Sequence, residues 1–195
     1  MRLIYRIIIV SFLIILDPMM LTAHEASKHT GDANPSPAPV SLYQYLNPGE
    51  KAPDFNLINQ EGKEISMEKL KGNPLIFTPV YASCPDACPL ILHNREKIEK
   101  SLEDDIGKGA IFIAVTVDPE HDTPEVLKEF MTKLGVNPVN FHLLTGDPEI
   151  VNKVLADYKI RVRIDAKEGH VLGHSVIGYA IDSNGIVKKA IQFAQ

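Results

Sequence analysis

The chain has 195 residues, of which 45% are apolar and 23% charged, and a formal net charge of −5. That length and composition accommodate one globular domain with appendages, and the mild, unclustered negative charge disfavours nucleic acid and anionic membrane surfaces as partners. No solenoid or propeller repeat, Walker A loop or GxGxxG occurs, which argues against nucleotide chemistry.

Arg2 and Arg6 precede an uncharged apolar run over residues 7–16, broken by Asp17 and Pro18 and followed by small residues near Ala23. This is the layout of an export signal. The run is short for a bilayer span, and no clean A-x-A site marks cleavage, so residues 1–23 are expected to be either a signal peptide or an N-terminal membrane anchor. Both readings place the domain outside the cytoplasm, where disulfides persist. Residues 24–40 are rich in Ala, Ser and Pro without hydrophobic periodicity, and read as a flexible linker in which His24 and His29 are solvated. Residues 41–195 are expected to form the folded domain.

Alternation over residues 54–57, turn chemistry at 59–62 and extended character at 63–65 predict a β-hairpin. Residues 75–81 form an unbroken apolar run between turn residues, as in a buried parallel strand. Pro79 cannot donate to a ladder, which predicts a bulge or an early loss of pairing there. From Pro89 to about Leu102 the spacing of Ile91, Ile98 and Leu102 predicts a helix, with Cys88 as cap and Pro89 as first residue preferred over a start at Pro85. Residues 110–117 form a second buried strand. Asp122, Thr123 and Pro124 open a helix striped by Val126, Leu127, Phe130, Met131 and Leu134, ended by Gly135. Residues 141–144 form a short strand, Asp147-Pro148 opens a helix striped by Val151, Val154, Leu155 and Tyr158, and residues 160–164 are extended. After a turn at 165–169, residues 174–181 and 186–187 predict a closing hairpin around Asn184-Gly185. Strands alternating with helices imply an α/β domain, with a central mostly parallel sheet, helices on both faces, an N-terminal hairpin and an antiparallel edge.

The two cysteines of the chain, Cys84 and Cys88, lie four residues apart just after the first buried strand. On one helical turn their Cα atoms would stand about 6 Å apart. That separation suits a disulfide and also lets two thiolates converge on one soft metal ion. A structural staple across so short a loop would contribute only about 2 kcal/mol on the chain-closure argument, which favours reactive chemistry. A helix N-terminus beside both sulfurs is expected to favour thiolate over thiol. In open α/β sheets the site lies at the carboxyl ends of the strands, where this pair falls.

Three stretches in order carry a family resemblance: Tyr81-Ala82-Ser83-Cys84-Pro85-Asp86-Ala87-Cys88-Pro89, then Val117-Asp118-Pro119-Glu120-His121-Asp122-Thr123-Pro124, then Gly173-His174-Ser175-Val176-Ile177-Gly178-Tyr179. From about Ser41 onward the chain resembles the Sco/SenC copper-chaperone family. The resemblance implies a thioredoxin-like domain facing the bacterial periplasm that binds one copper ion, Cu(I) or Cu(II), and helps to assemble the binuclear copper centre of cytochrome c oxidase. Carried across residue by residue, the copper ligands would be Cys84, Cys88 and His174. The oxidase's copper-binding subunit would be the acceptor, with a copper donor chaperone and a thiol reductant as further partners. His121 stands where the family more often has arginine. Against the resemblance, the family's C-terminal helix is expected to be shortened or absent here, which would uncover part of one sheet face and expose Phe193.

Two thiolates and one imidazole form a soft donor set suited to three-coordinate Cu(I), and with changed geometry to Cu(II). A disulfide would abolish binding, so thiol redox state would gate delivery. The alternative is a thiol-disulfide reductase in which Cys84 and Cys88 are the redox pair and copper is incidental. Other residues receive ordinary readings: His93 and His142 as surface and strand residues, His170 as a loop residue, Asp118 as the end of a strand.

Overall fold

A computed structural model of the protein describes residues 44–84, 87–137 and 139–193. The chain divides into two units, Met1–Val40 and Ser41–Gln195. The expected signal or anchor and the linker lie outside the described residues, and every described element belongs to the second unit.

Polar-apolar alternation builds the first hairpin, β1 (Asn56–Asn59) pairing antiparallel with β2 (Glu64–Ser66). The Asn59 side chain closes its turn by accepting from the backbone N–H of Glu61 and Lys63 at 3.0 and 2.9 Å. Ser66 then caps the single turn α1 (Met67–Leu70). The two long apolar runs become β3 (Leu75–Val80), with all six residues buried, and β4 (Ile111–Thr116). Between them lie α2 (Ala87–His93) and α3 (Arg95–Ile106). Then follow α4 (Pro124–Lys133), β5 (Phe141–Thr145) and α5 (Pro148–Asp157), each helix opened by an N-terminal proline behind a side-chain cap, Thr123 and Asp147 respectively. β6 (Val162–Ile164) and β7 (Val171–His174) form a separate two-stranded ribbon, and β8 (Ile177–Ile181) and β9 (Val187–Gln192) the last hairpin.

The main sheet has seven strands in the order β2-β1-β5-β4-β3-β8-β9. Its centre, β5-β4-β3, is parallel, while β1 on one side and β8 on the other run antiparallel. Helices cover both faces, the α/β layering expected from the alternation of elements. One face packs Phe77, Ile113, Val115, Leu144 and Tyr179 against Val151, Val154 and Leu155 of α5. The other packs Ile76, Phe112, Ala114 and Leu143 against Leu92, Leu102, Leu127 and Met131 of α2, α3 and α4.

Four local expectations are resolved or corrected. Pro79 makes no bulge with β4, whose register runs unbroken to Val80↔Thr116. The Val80 carbonyl accepts from Val117, so by alternation Pro79 faces β8, where pairing has already ended at Phe77↔Tyr179. The missing N–H therefore costs no ladder bond. The helix after the cysteines begins by Ala87, so Cys88 is inside it rather than its cap, and Pro89 occupies the first turn, where backbone N–H groups lack intrahelical partners anyway. That helix also breaks at Asn94, whose side-chain amide and backbone N–H both donate to the Leu90 carbonyl, at 2.9 and 3.0 Å. Finally, Phe193 is buried, packed into the α2–α4 side of the core and over Gly178.

Candidate metal centre

β3 ends at Val80 and releases the chain into a turn closed by the Cys84 N–H donating to the Tyr81 carbonyl at 3.2 Å. α2 then carries Cys88 in its first turn, buried among the apolar side chains of that face. Cys84 and Cys88 are electrostatically coupled, Cys84 raising the Cys88 thiol. Tyr81 is coupled to both, its backbone N–H favouring the Cys88 thiolate and Cys84 favouring the protonated Tyr81 phenol. The expectation that a helix N-terminus favours thiolate is overridden at Cys88. Burial pushes that thiol well up; the Tyr81 N–H is the next influence and opposes it, and Cys84 adds to the rise. Burial likewise, with the Cys84 charge second, pushes the Tyr81 phenol up to about 12, so it remains a proton donor through the neutral range.

His174 ends β7. Its Nδ1 lies 2.8 Å from the Ser175 carbonyl. A carbonyl only accepts, so Nδ1 carries the proton and Nε2 keeps the lone pair a metal needs. Burial holds the ring below the ordinary histidine pKa, against the opposing pull of the Ser175 bond, and so favours the neutral ligand form. The His174 and Tyr81 rings meet edge to face, centroids 5.6 Å apart at 87°. The structure thus couples Cys84 to Cys88 and sets His174 against the tyrosine at the same strand end. Among the described residues, no three His, Cys, Asp or Glu side chains stand close enough together to hold a metal ion.

The loop before Cys84 is anchored from the end of β4. Asp122 accepts from the Ala82 N–H and from the Thr116 hydroxyl, the latter at 2.5 Å. Thr116 in turn accepts from the Asp118 N–H at 2.9 Å. Burial raises the Asp122 pKa, and the Thr116 and Ala82 hydrogen bonds oppose it. Asp118 pairs with His121 at 2.7 Å, and this bond and charge raise the His121 pKa. A cleft of about 280 Å³ opens beside the loop, lined by Ala82, Ser83, His121, Val126 and Phe130. His170 pairs with Glu168 in the β6–β7 turn, at 3.3 Å, and the His142 Nδ1 accepts from the Asn59 amide N–H, at 3.3 Å, on the far side of the sheet centre. Sequence reasoning passed over Tyr81 and Asp122. The signal for Tyr81 was an aromatic bearing a hydroxyl at the mouth of a strand, three residues before a cysteine; for Asp122 it was a second polar residue beside a threonine that already serves as the cap.

The SCO1/SenC family model matches residues 44–195. A SCO2-like protein of Rickettsia typhi is 33% identical over 189 residues, covering 92% of this chain and 85% of its own length. Among solved structures, copper-bound ScoI of Bradyrhizobium japonicum gives a TM-score of 0.62 at 27% identity, covering 75% of this chain and 92% of that one. A SCO1/SenC family lipoprotein of Bacillus anthracis gives 0.65 at 29% identity, covering 78% and 90%. The fold is the thioredoxin-like α/β fold of these Sco structures, and the chain belongs to the SCO1/SenC family.

Proposed function

We propose that this protein is a copper metallochaperone outside the cytoplasm, in the bacterial periplasm, that takes up one copper ion on Cys84, Cys88 and His174 and passes it to the copper-binding subunit of cytochrome c oxidase. The observation that carries the reading is that Cys84 and Cys88 stand at the carboxyl end of β3, where the His174 ring packs edge to face on Tyr81 with its Nδ1 already committed to a backbone carbonyl. Family membership and the copper-bound relative support copper as the cargo. Uptake displaces the cysteine protons, and delivery proceeds by stepwise exchange of Cys84, Cys88 and His174 for thiolates of the acceptor. Oxidation of the pair by a disulfide donor removes two electrons and two protons and leaves no thiolate for copper, so thiol redox state gates delivery.

The same cysteine pair at the strand end favours a second reading, a thiol-disulfide reductase acting on cysteines of the oxidase or of other exported proteins. Anaerobic copper titration of the reduced full chain beside its His174→Ala variant separates the two. One tightly bound copper per chain, lost in the variant while dithiol exchange with a model disulfide persists, is the chaperone's result. A folded, fully reduced chain with no tight copper site makes the reductase the function.

A further inference from the structure

α4 carries more apolar surface than the sheet takes up. Of its stripe Val126, Leu127, Phe130, Met131 and Leu134, only Leu127 and Met131 are buried; Phe130 is half-buried and Val126 is 38% exposed. Val126 and Phe130 instead line, with Ala82, Ser83 and His121, the cleft of about 280 Å³ beside the cysteine loop. That volume lies below the range of pockets for drug-sized ligands and suits one or two side chains. The charged groups of the lining are already paired within the chain: His121 with Asp118 at 2.7 Å, Lys133 with Glu129 at 2.8 Å, and Asp122 with the Ala82 N–H and the Thr116 hydroxyl. An uncharged, apolar group is therefore what the cleft favours, with the ion pairs as its polar rim.

We infer that this cleft is a docking pocket for the partner protein, seating an apolar side chain that lies close in sequence to the partner cysteine meeting Cys84. The inference rests on what the two readings above share, exchange at Cys84 with a thiol of another protein. Cys84 is half-exposed and Cys88 buried, so Cys84 is the sulfur that a partner reaches. The chain leading into it is Ala82-Ser83, which lines the cleft, so a partner segment laid against Cys84 has the cleft beside it. Asp122 already fixes the Ala82 backbone, and Val126 and Phe130 stand on a regular helix. The pocket is therefore formed before the partner arrives, which lowers the ordering cost of binding.

The test follows exchange of the reduced full chain with two peptide disulfides, one built from acetyl-Phe-Gly-Cys-Gly-Phe-amide and one with serine in place of phenylalanine. Cys84 displaces one peptide thiol and Cys88 the second, leaving the chain's disulfide and two free peptides, which are counted by mass. Rates are normalised to exchange of the same peptide with glutathione. The phenylalanine peptide is expected to react about tenfold faster below saturation. Val126→Glu puts a charge at the cleft and, three residues after the Thr123 cap, completes a capping box, so the urea midpoint is expected to hold or rise. It is expected to bring the ratio of the two rates close to one. The ratio is the readout, because a charge that alters Cys84 itself changes both rates alike. Ile150→Glu makes the same change at the same helical position of α5, on the other face of the sheet, and is expected to keep the preference. Equal rates for the two peptides, or a preference that Val126→Glu leaves intact, would overturn the inference. So would a concentration-dependent dimer in sedimentation that Val126→Glu abolishes, since the cleft would then belong to a second copy. No exchange with either peptide would overturn it together with the reductase reading, while copper titration decides the chaperone reading by itself.

Discussion

Asp122 holds the backbone N–H of Ala82 with both carboxylate oxygens, at 3.3 and 3.1 Å, across a sequence separation of 40 residues. The contact ties the loop that leads into Cys84 to the end of β4, and Thr116 secures the carboxylate from inside the sheet at 2.5 Å. Removing the acceptor strands two donors in a largely buried place. Asp122→Ala is therefore expected to lower stability by about 1–3 kcal/mol, read as a lower urea midpoint, and to weaken copper retention by loosening the loop. Asp122→Asn keeps one acceptor oxygen and is expected to lose less. An alanine variant with an unshifted midpoint would show that Asp122 is no anchor.

What could be read ahead of the structure was what residue type and spacing express. Two cysteines at a strand end, a histidine opening the third motif and the alternation of strands with helices are visible one segment at a time. Tyr81 and Asp122 are not, because an aromatic ending an apolar run reads as core and an aspartate beside Thr-Pro reads as a helix cap. Their roles come from partners 40 and 93 positions away, Ala82 and His174. The segment from His174 to Ile181 reads as one strand for the same reason. It divides between β7 and β8 because the Ser175 N–H turns aside to the Arg161 carbonyl, at 2.9 Å, a bond that no local pattern announces.

Two histidines outside the ligand set, His121 and His142, should titrate on opposite sides of the ordinary value. Asp118 raises His121, and burial lowers His142. For His121 the folded state holds the proton more tightly, so the pair's contribution is fully present below the ordinary histidine pKa and is lost as pH rises through the raised value. For His142 the unfolded state holds it more tightly, so stability is lost as pH falls from the ordinary value through the lowered one. NMR titration of the ring protons checks both. Asp118→Asn should bring His121 back toward its ordinary value and leave His142 unmoved; parallel shifts of both rings would contradict the assignment.

Gly178 sits where β8 crosses β3, and a Cβ there would meet the Phe77 carbonyl oxygen at 2.4 Å and a ring carbon of Phe193 at 2.7 Å. Phe193 could rotate; the carbonyl belongs to a central strand and cannot. Gly178→Ala is expected to cost about 1–3 kcal/mol by overpacking and to lower the thermal midpoint. Trimming the ring as well, in a Phe193→Ala background, should not rescue it, because the backbone contact remains. Full rescue would place the crowding in the ring alone.

The ribbon that bears His174 shares no strand pairing with the main sheet among the described residues; Val162 and Val171 pack it against the core, and contacts between Arg161 and Ser175 close its root. One is backbone, the Ser175 N–H on the Arg161 carbonyl. The other is the Ser175 hydroxyl, which accepts from the Arg161 N–H at 3.0 Å. Both are exposed to solvent, so Ser175→Ala should change global stability by no more than about 0.5 kcal/mol. Local opening is a different quantity, set by the few contacts that hold this segment. Amide hydrogen exchange across Val171–His174 is expected to quicken in the variant while β3 and β4 keep their protection, and copper affinity should fall because the imidazole is held less firmly. Unchanged exchange in β7, or exchange that quickens equally in the central strands, would mean that the hydroxyl does not fix the ribbon.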